Sequence, residues 1–166
     1  MNLERKPKLI VFDLVTDYTL WPFWVDTHVS LPLRRNSIGN VVDAAGRKVP
    51  YYPEVPTVLE HLKAQGYTLA VASRTGEIRG ANQALQLFNW DKYFTYKEIY
   101  PGCKVNHFNQ FRKISGIQFQ DMLFFDDERR NIRDLEAQGV TSVLVDDGIS
   151  FAVVEEGLKA FSSRTS

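Results

Sequence analysis

Acidic, hydroxyl and ammonium side chains stand just past several apolar runs of this chain, where they can do chemistry. Asp13 ends the run Lys8–Phe12, and Asp17 lies a little beyond it. Ser73 ends the run Tyr67–Ala72, Lys104 precedes an amphipathic stretch, and Asp126 and Asp127 follow Met122–Phe125. Several carboxylates together suit a hard, octahedral cation such as Mg²⁺. A hydroxyl and a lysine suit phosphate oxygens. The combination implies phosphoryl transfer to a carboxylate nucleophile. The cation and lysine neutralise phosphate charge so that an anionic carboxylate can approach phosphorus. A second carboxyl group would protonate the leaving oxygen and then activate water.

These groups meet only if the elements between them bring them to one place. The pattern predicts a strand over 8–13, a helix over 55–66 stopped by Gly66, and a strand over 67–73. Thr75 is the expected cap of a helix from Gly76 to about Phe88, with Ala81, Leu85 and Phe88 on one side. A weaker strand follows over 95–100, then a helix over 105–115 ended by Gly116. A strand over 121–126, a helix over 128–139 with Ile132 and Leu135 inward, and a strand over 141–147 complete the alternation. Ser150 is placed to cap a last helix reaching about Phe161. Alternating strands and helices make an α/β fold, a central parallel sheet covered by helices with right-handed crossovers. The carboxyl ends of such strands share one edge, and that edge carries the ligand crevice.

Residues 26–52 break the alternation. Turn signals at Ile38-Gly39-Asn40 and Ala45-Gly46 suggest a small hairpin at about 36–50, with Val41-Val42 and Lys48-Val49 as arms. It follows the first strand directly, so it is the segment available to cover the site.

Composition narrows the function classes. The 166 residues suit one domain spanning 1–166, and 44% hydrophobic with 24% charged residues is ordinary for a globular chain. Twenty basic residues balance twenty acidic ones, and no basic stripe marks a nucleic-acid partner. The longest apolar runs fall far short of the ~20 residues that span a bilayer, so no membrane partner is expected. The start MNLERKPK lacks the apolar core of a signal peptide, and Cys103 is the single cysteine. These features fit a soluble protein of a reducing compartment, the cytosol. The sequence leaves the oligomeric state open.

Each candidate also has a plainer role. Asp126 and Asp127 can cap the helix at Glu128, and one of them is expected to do so as well as serve a metal. Ser73 can cap a helix, and Lys104 can be a solvated lysine. Arg74 can reach substrate anions, whereas Arg129 and Arg130 read as a solvated helix face. Trp21, Phe23 and Trp24 either pack the first loop on the core or wall the substrate site. His28, His61 and His107 show no metal-ligand spacing and read as structural or exposed.

The stretches VFDLVTDYTL, ASRT, GCK and FFDDERRN resemble, in order, the four motifs of the haloacid dehalogenase superfamily of phosphatases. With DYTLWPFWVDTHV, YPEVP and EIYPG, the chain is most similar to the small eukaryotic magnesium-dependent phosphatase-1 group. The resemblance covers residues 8 to about 146. It implies a Rossmann-like core and Asp13 as the nucleophile that becomes phospho-aspartate. It further implies Ser73 and Lys104 as phosphate binders, and Asp127 as a metal ligand with Asp126 beside it. No large cap domain fits between the motifs. An open site of this kind admits bulky phosphoesters, from small molecules to phosphoproteins. The resembling group is linked to protein phosphotyrosine and to sugar phosphates carried on proteins.

One departure stands out. The superfamily's first motif reads Asp-x-Asp, whereas here Val15 and Thr16 look inserted into DLDYTL. Val15 cannot transfer a proton, although its backbone carbonyl can still bind Mg²⁺. Asp17 can act as acid/base only if the extra residues loop out. In the other register Asp17 is the nucleophile with Thr19 two residues later, as in cation-pumping ATPases of the superfamily. That register would bury the charge of Asp13 in a strand, a cost of several kcal/mol unless paired. The insertion also keeps open a pseudo-phosphatase, a module that binds phosphorylated partners with little turnover. A nucleic-acid end phosphatase is disfavoured by the balanced charge.

Overall fold

A computed structural model describes residues 5–13, 32–49 and 51–164. Five parallel strands make the sheet: β1 (Leu9–Asp13), β4 (Leu69–Ser73), β5 (Phe94–Ile99), β6 (Met122–Asp126) and β7 (Thr141–Leu144). Their order across the sheet is β5-β4-β1-β6-β7, so β1 is central and the chain winds outward from it in both directions. Every residue of β1, β4 and β6 is buried. That is why these strands read as unbroken apolar runs rather than as alternating patterns.

Five helices cover the sheet: α1 (Val55–Ala64), α2 (Ile78–Leu87), α3 (Lys104–Ser115), α4 (Arg129–Ala137) and α5 (Phe151–Ser163). The period-2 pleat divides each strand between two cores. Ile10, Phe12, Val71, Leu123 and Phe125 pack with Leu59 and Leu62 of α1, Leu85 of α2 and Phe161 of α5. Leu9, Val11, Ala70, Met122 and Phe124 pack with Phe108 and Phe111 of α3 and Leu135 of α4. Helix α5 approaches β6 so closely that a Cβ on Gly157 would stand 2.5 Å from the Phe125 ring. Among the described residues, no helix is long and apolar enough to cross a membrane.

The expected elements form with small shifts at their ends. Gly116 takes φ +76° and closes α3, and the Ser150 hydroxyl accepts the Val153 N–H to cap α5. Leu135 of α4 is buried and Ile132 half-buried, as the spacing predicts. The start of α2 is a correction. The Ser73 hydroxyl accepts the Thr75 N–H and the Thr75 hydroxyl accepts the Glu77 N–H. Two successive side-chain turns hold this segment out of helical conformation, so α2 begins at Ile78 and Thr75 is not its cap.

The segment after β1 holds a further correction. Val41-Val42 (β3) pairs antiparallel with Arg34-Arg35 (β2), and Lys48 bridges Val42 from the other side. Both turn signals are therefore used, with one more arm than expected. Two consecutive arginines carry no strand signal in sequence. Their pairing rests on backbone bonds and on the Arg35 guanidinium, which donates to the carbonyls of Leu87 and Gly39. Leu33 N–H donates to Gln83 Oε1 at 2.6 Å. The hairpin thus lies along α2 toward its last residue, the end of that helix remote from the carboxyl edge of the sheet.

Candidate functional site

Asp13, Ser73 and Asp126 are the last residues of β1, β4 and β6, three neighbouring strands. A parallel sheet therefore delivers all three to one edge. Each is fully buried. Lys104 opens α3 beside them and is itself 0% exposed. Its Nζ lies over the Phe124 ring, 5.3 Å from the centroid. Its ammonium donates to Asp13 Oδ1 and, at 2.7 Å, to Asp126 Oδ2. An ammonium can be carried into a core only with such partners. The helix start and two strand ends fix it there.

Asp126 has its oxygens engaged. Oδ1 accepts the Glu128 N–H at 2.9 Å, at the mouth of α4. Oδ2 accepts the amide of Asn131 at 2.9 Å besides Lys104. The expectation that one residue of the acidic pair caps α4 is corrected: the N-cap is Glu128, with no side-chain cap bond, and Asp126 instead closes a turn just before the helix. Asn131 is buried, bonds Glu128 as well at 3.1 Å, and accepts from Arg74 at 3.4 Å. Arg74 is thereby brought to the same edge, while Arg129 and Arg130 are exposed on α4.

Asp13, Asp126 and Asp127 each offer an oxygen within 4.8 Å of the others. Three carboxylates this close repel one another unless cations share the space. Lys104 is one such cation. An all-oxygen donor set fits a hard divalent ion for the remainder. The edge can therefore hold a cation, anchor phosphate oxygens on an ammonium and a hydroxyl, and present a carboxylate. Asp17 and Val15, with Trp21, Phe23, Trp24 and His28, lie outside the described residues.

Two residues of this edge are not evident from sequence. Asn131 sits within the stretch FFDDERRN, in the first turn of a helix that follows a candidate strand end. His107 is wholly buried, the structural of the two alternatives the sequence offered. Its Nε2 stands 2.8 Å from both the Ser73 and Tyr100 carbonyls. Burial above all lowers its pKa, the three nearby carbonyls push the other way, and the Lys104 charge lowers it again. The signal for His107 is its place one turn into α3, on the Lys104 side. His61 is exposed and meets Phe151 edge-on.

Comparison with known proteins follows the same lines. A family model described as Acid Phosphatase matches residues 5–164. Magnesium-dependent phosphatase 1 of Homo sapiens is 51% identical over 160 residues, covering 96% of this chain and 90% of that protein. An HAD-like hydrolase superfamily protein of Schizosaccharomyces pombe is 42% identical, covering 84% of this chain and 86% of its own. A haloacid dehalogenase-like family protein from Streptococcus pneumoniae shares the fold, with a TM-score of 0.59 at 13% identity over 90% of each chain.

Proposed function

The chain belongs to the Acid Phosphatase family, among the haloacid dehalogenase-like hydrolases, and from that premise we propose that it hydrolyses phosphate monoesters through a phospho-aspartate on Asp13. The observation that carries this reading is the buried Lys104 ammonium shared by Asp13 and Asp126 at the ends of adjacent strands. A structural ion pair needs one carboxylate for one ammonium. Here the carboxylates outnumber the ammonium, and a divalent cation would balance the excess and with Lys104 supply the positive charge that a phosphate dianion needs.

In the proposed reaction Ser73 and Lys104 hold the phosphate oxygens, with Arg74 at the rim. Asp13 attacks phosphorus, and the bond to the leaving oxygen breaks. That oxygen takes a proton from Asp17. Water then attacks the phospho-aspartate, gives its proton to Asp17, and the Asp13–phosphorus bond breaks to release phosphate. Mg²⁺, which the named relative requires, would be held by Asp13, Asp127 and the Val15 carbonyl and would supply charge neutralisation at the phosphate. Asp126 would stand behind these ligands, its oxygens bonded to Lys104, Asn131 and the Glu128 N–H.

Phosphotyrosine on proteins and sugar phosphates attached to proteins are the proposed substrates. The hairpin leans on α2, and no described element of cap size follows β1. This supports access for bulky esters.

Two measurements test the reading. Turnover of an aryl phosphate should need Mg²⁺, and Asp127→Asn should raise that requirement by ~10-fold or more. Full turnover in excess chelator would sink the assignment. A pseudo-phosphatase is favoured by one observation, the Val15-Thr16 insertion. Deleting both residues, to restore DLDYTL, should raise the rate, most for alkyl phosphates whose poor leaving groups need the proton. A misplacement of 1 Å can cost about 10²-fold. Unchanged or lower activity after the deletion would show that Asp17 already reaches the leaving oxygen.

A further inference from the structure

The proposed phosphate site joins a hydroxyl and an ammonium from different parts of the chain. Ser73 ends β4, and Lys104 opens α3, with α2 and β5 between them. The ladder between β4 and β5 closes with the Tyr100 N–H donating to the Ser73 carbonyl at 3.1 Å. Past that bond the chain turns through Pro101, Gly102 and Cys103 to reach Lys104. A short turn of this kind does not by itself set where an ammonium points.

His107 spans the gap. It lies one turn into α3 from Lys104 and is fully buried. Its Nε2 is 2.8 Å from the Ser73 carbonyl and 2.8 Å from the Tyr100 carbonyl. Both are acceptors, so Nε2 carries the proton and donates to both. The ring stacks on Tyr100, with centroids 4.2 Å apart and planes at 18°. The Cys103 carbonyl lies 3.3 Å from Nδ1. One side chain therefore touches the backbone on both sides of the site: the residue bearing the hydroxyl, and the turn leading to the ammonium. A core-filling ring would need the stack on Tyr100 but not the N–H.

We propose that His107 is a positioning residue for the phosphatase reaction, its Nε2–H fastening the Ser73 carbonyl to the turn that presents Lys104 so that hydroxyl and ammonium close on one phosphate. The inference rests on the phosphatase reading above. It adds a residue that never touches substrate but sets the spacing of two that do.

His107→Phe keeps a ring against Tyr100 and removes the donor. His107→Gln replaces the ring with an amide that has two N–H donors. The probes are inorganic phosphate as a competitive inhibitor and an aryl phosphate at saturating Mg²⁺, with a melting curve for each variant. His107→Phe should weaken inhibition by phosphate and lower kcat/KM by ~10–100-fold, because small displacements in a reacting site are costly. His107→Gln should stay within about 3-fold of wild type, the worth of part of one hydrogen bond. Wild-type phosphate inhibition in His107→Phe would overturn the proposal. So would losses in the two variants that follow their melting temperatures alone, with no difference between donor and non-donor. If His107→Phe does not fold, His107→Asn is read in its place, since its amide stops a methylene short. Weakened phosphate inhibition at an unchanged melting temperature then supports the clamp, and unchanged inhibition overturns it. A wild-type protein that neither turns over an aryl phosphate nor binds inorganic phosphate would remove the phosphatase reading and this inference together. A working wild type with an equally active His107→Phe would remove this inference alone.

Discussion

Two regions of the molecule bury carboxylates, and they do so for different reasons. Asp43, in the turn after β3, is 1% exposed. Its Oδ1 accepts the N–H groups of Ala45 and Arg47 at 3.0 and 2.9 Å, and its Oδ2 accepts the Arg47 guanidinium at 3.0 and 2.8 Å. These bonds come from within four residues of the chain. At the carboxyl edge, three carboxylates from two strand ends gather where one buried ammonium from a distant helix bonds two of them, Asp13 and Asp126. Burial of a charge is therefore no mark of a site. The mark is convergence from separate elements with a charge balance that a substrate or a metal must complete.

Substitutions at the two regions should separate sharply. Asp13→Asn removes the proposed nucleophile and should cut turnover by about 10⁴-fold or more, with the fold retained by circular dichroism. Mass spectrometry of trapped phospho-enzyme should place the phosphoryl group on Asp13. Its appearance on Asp17 would establish the other register. Lys104→Met leaves two carboxylates buried without their ammonium and should cost about 3–5 kcal/mol in a denaturant titration. Phosphate affinity should fall at the same time and by similar factors for every monoester, since the charge that Lys104 meets is common to them all. A large loss confined to one leaving group would contradict that role.

Asp43→Ala is the control from the other region. It removes the acceptor of two turn N–H groups, for a loss of about 1–3 kcal/mol. Its kcat/KM should match wild type at a temperature where both are folded. A loss of activity there would erase the distinction drawn between the two carboxylate settings.

The smallest expected effect is on pH. Burial holds the His107 pKa below its ordinary 6.5. In the unfolded chain the imidazole takes its proton near pH 6.5, while the folded one resists to lower pH. As pH falls below about 6.5 the unfolded state binds more protons, so stability falls until the folded imidazole protonates as well. Above that range the contribution is fully present. Melting temperatures of wild type and His107→Gln, compared from about pH 7 to pH 5, should show the shallower decline in the variant. Parallel curves would mean that His107 titrates alike in both states.

Much of the framework was legible because single stretches carry it. An apolar run ended by Asp13, by Ser73 or by Asp126 is a buried strand with a polar residue at its carboxyl end, and the alternation with helices makes the strands parallel. The cap at Ser150 and the stop at Gly116 are equally local. The β2 arm was not legible, since Arg34 and Arg35 have no strand character apart from the partner and helix end that receive them. Thr75 misled because Ser73 and Thr75 spend their hydroxyls on the turn itself.

The amino-acid sequence alone determined which chemical groups stand at the strand ends, because strand, turn and helix starts follow from neighbours within a few residues. It could not determine which groups share a proton donor or a charge. Lys104 pairs with Asp13 across ninety-one residues, and His107 joins Ser73 to Tyr100 across a whole crossover. Only the packed sheet decided those partnerships, since the spacing of neighbouring strands and the seat of α3 against β4 and β5 set every distance between groups remote in the chain.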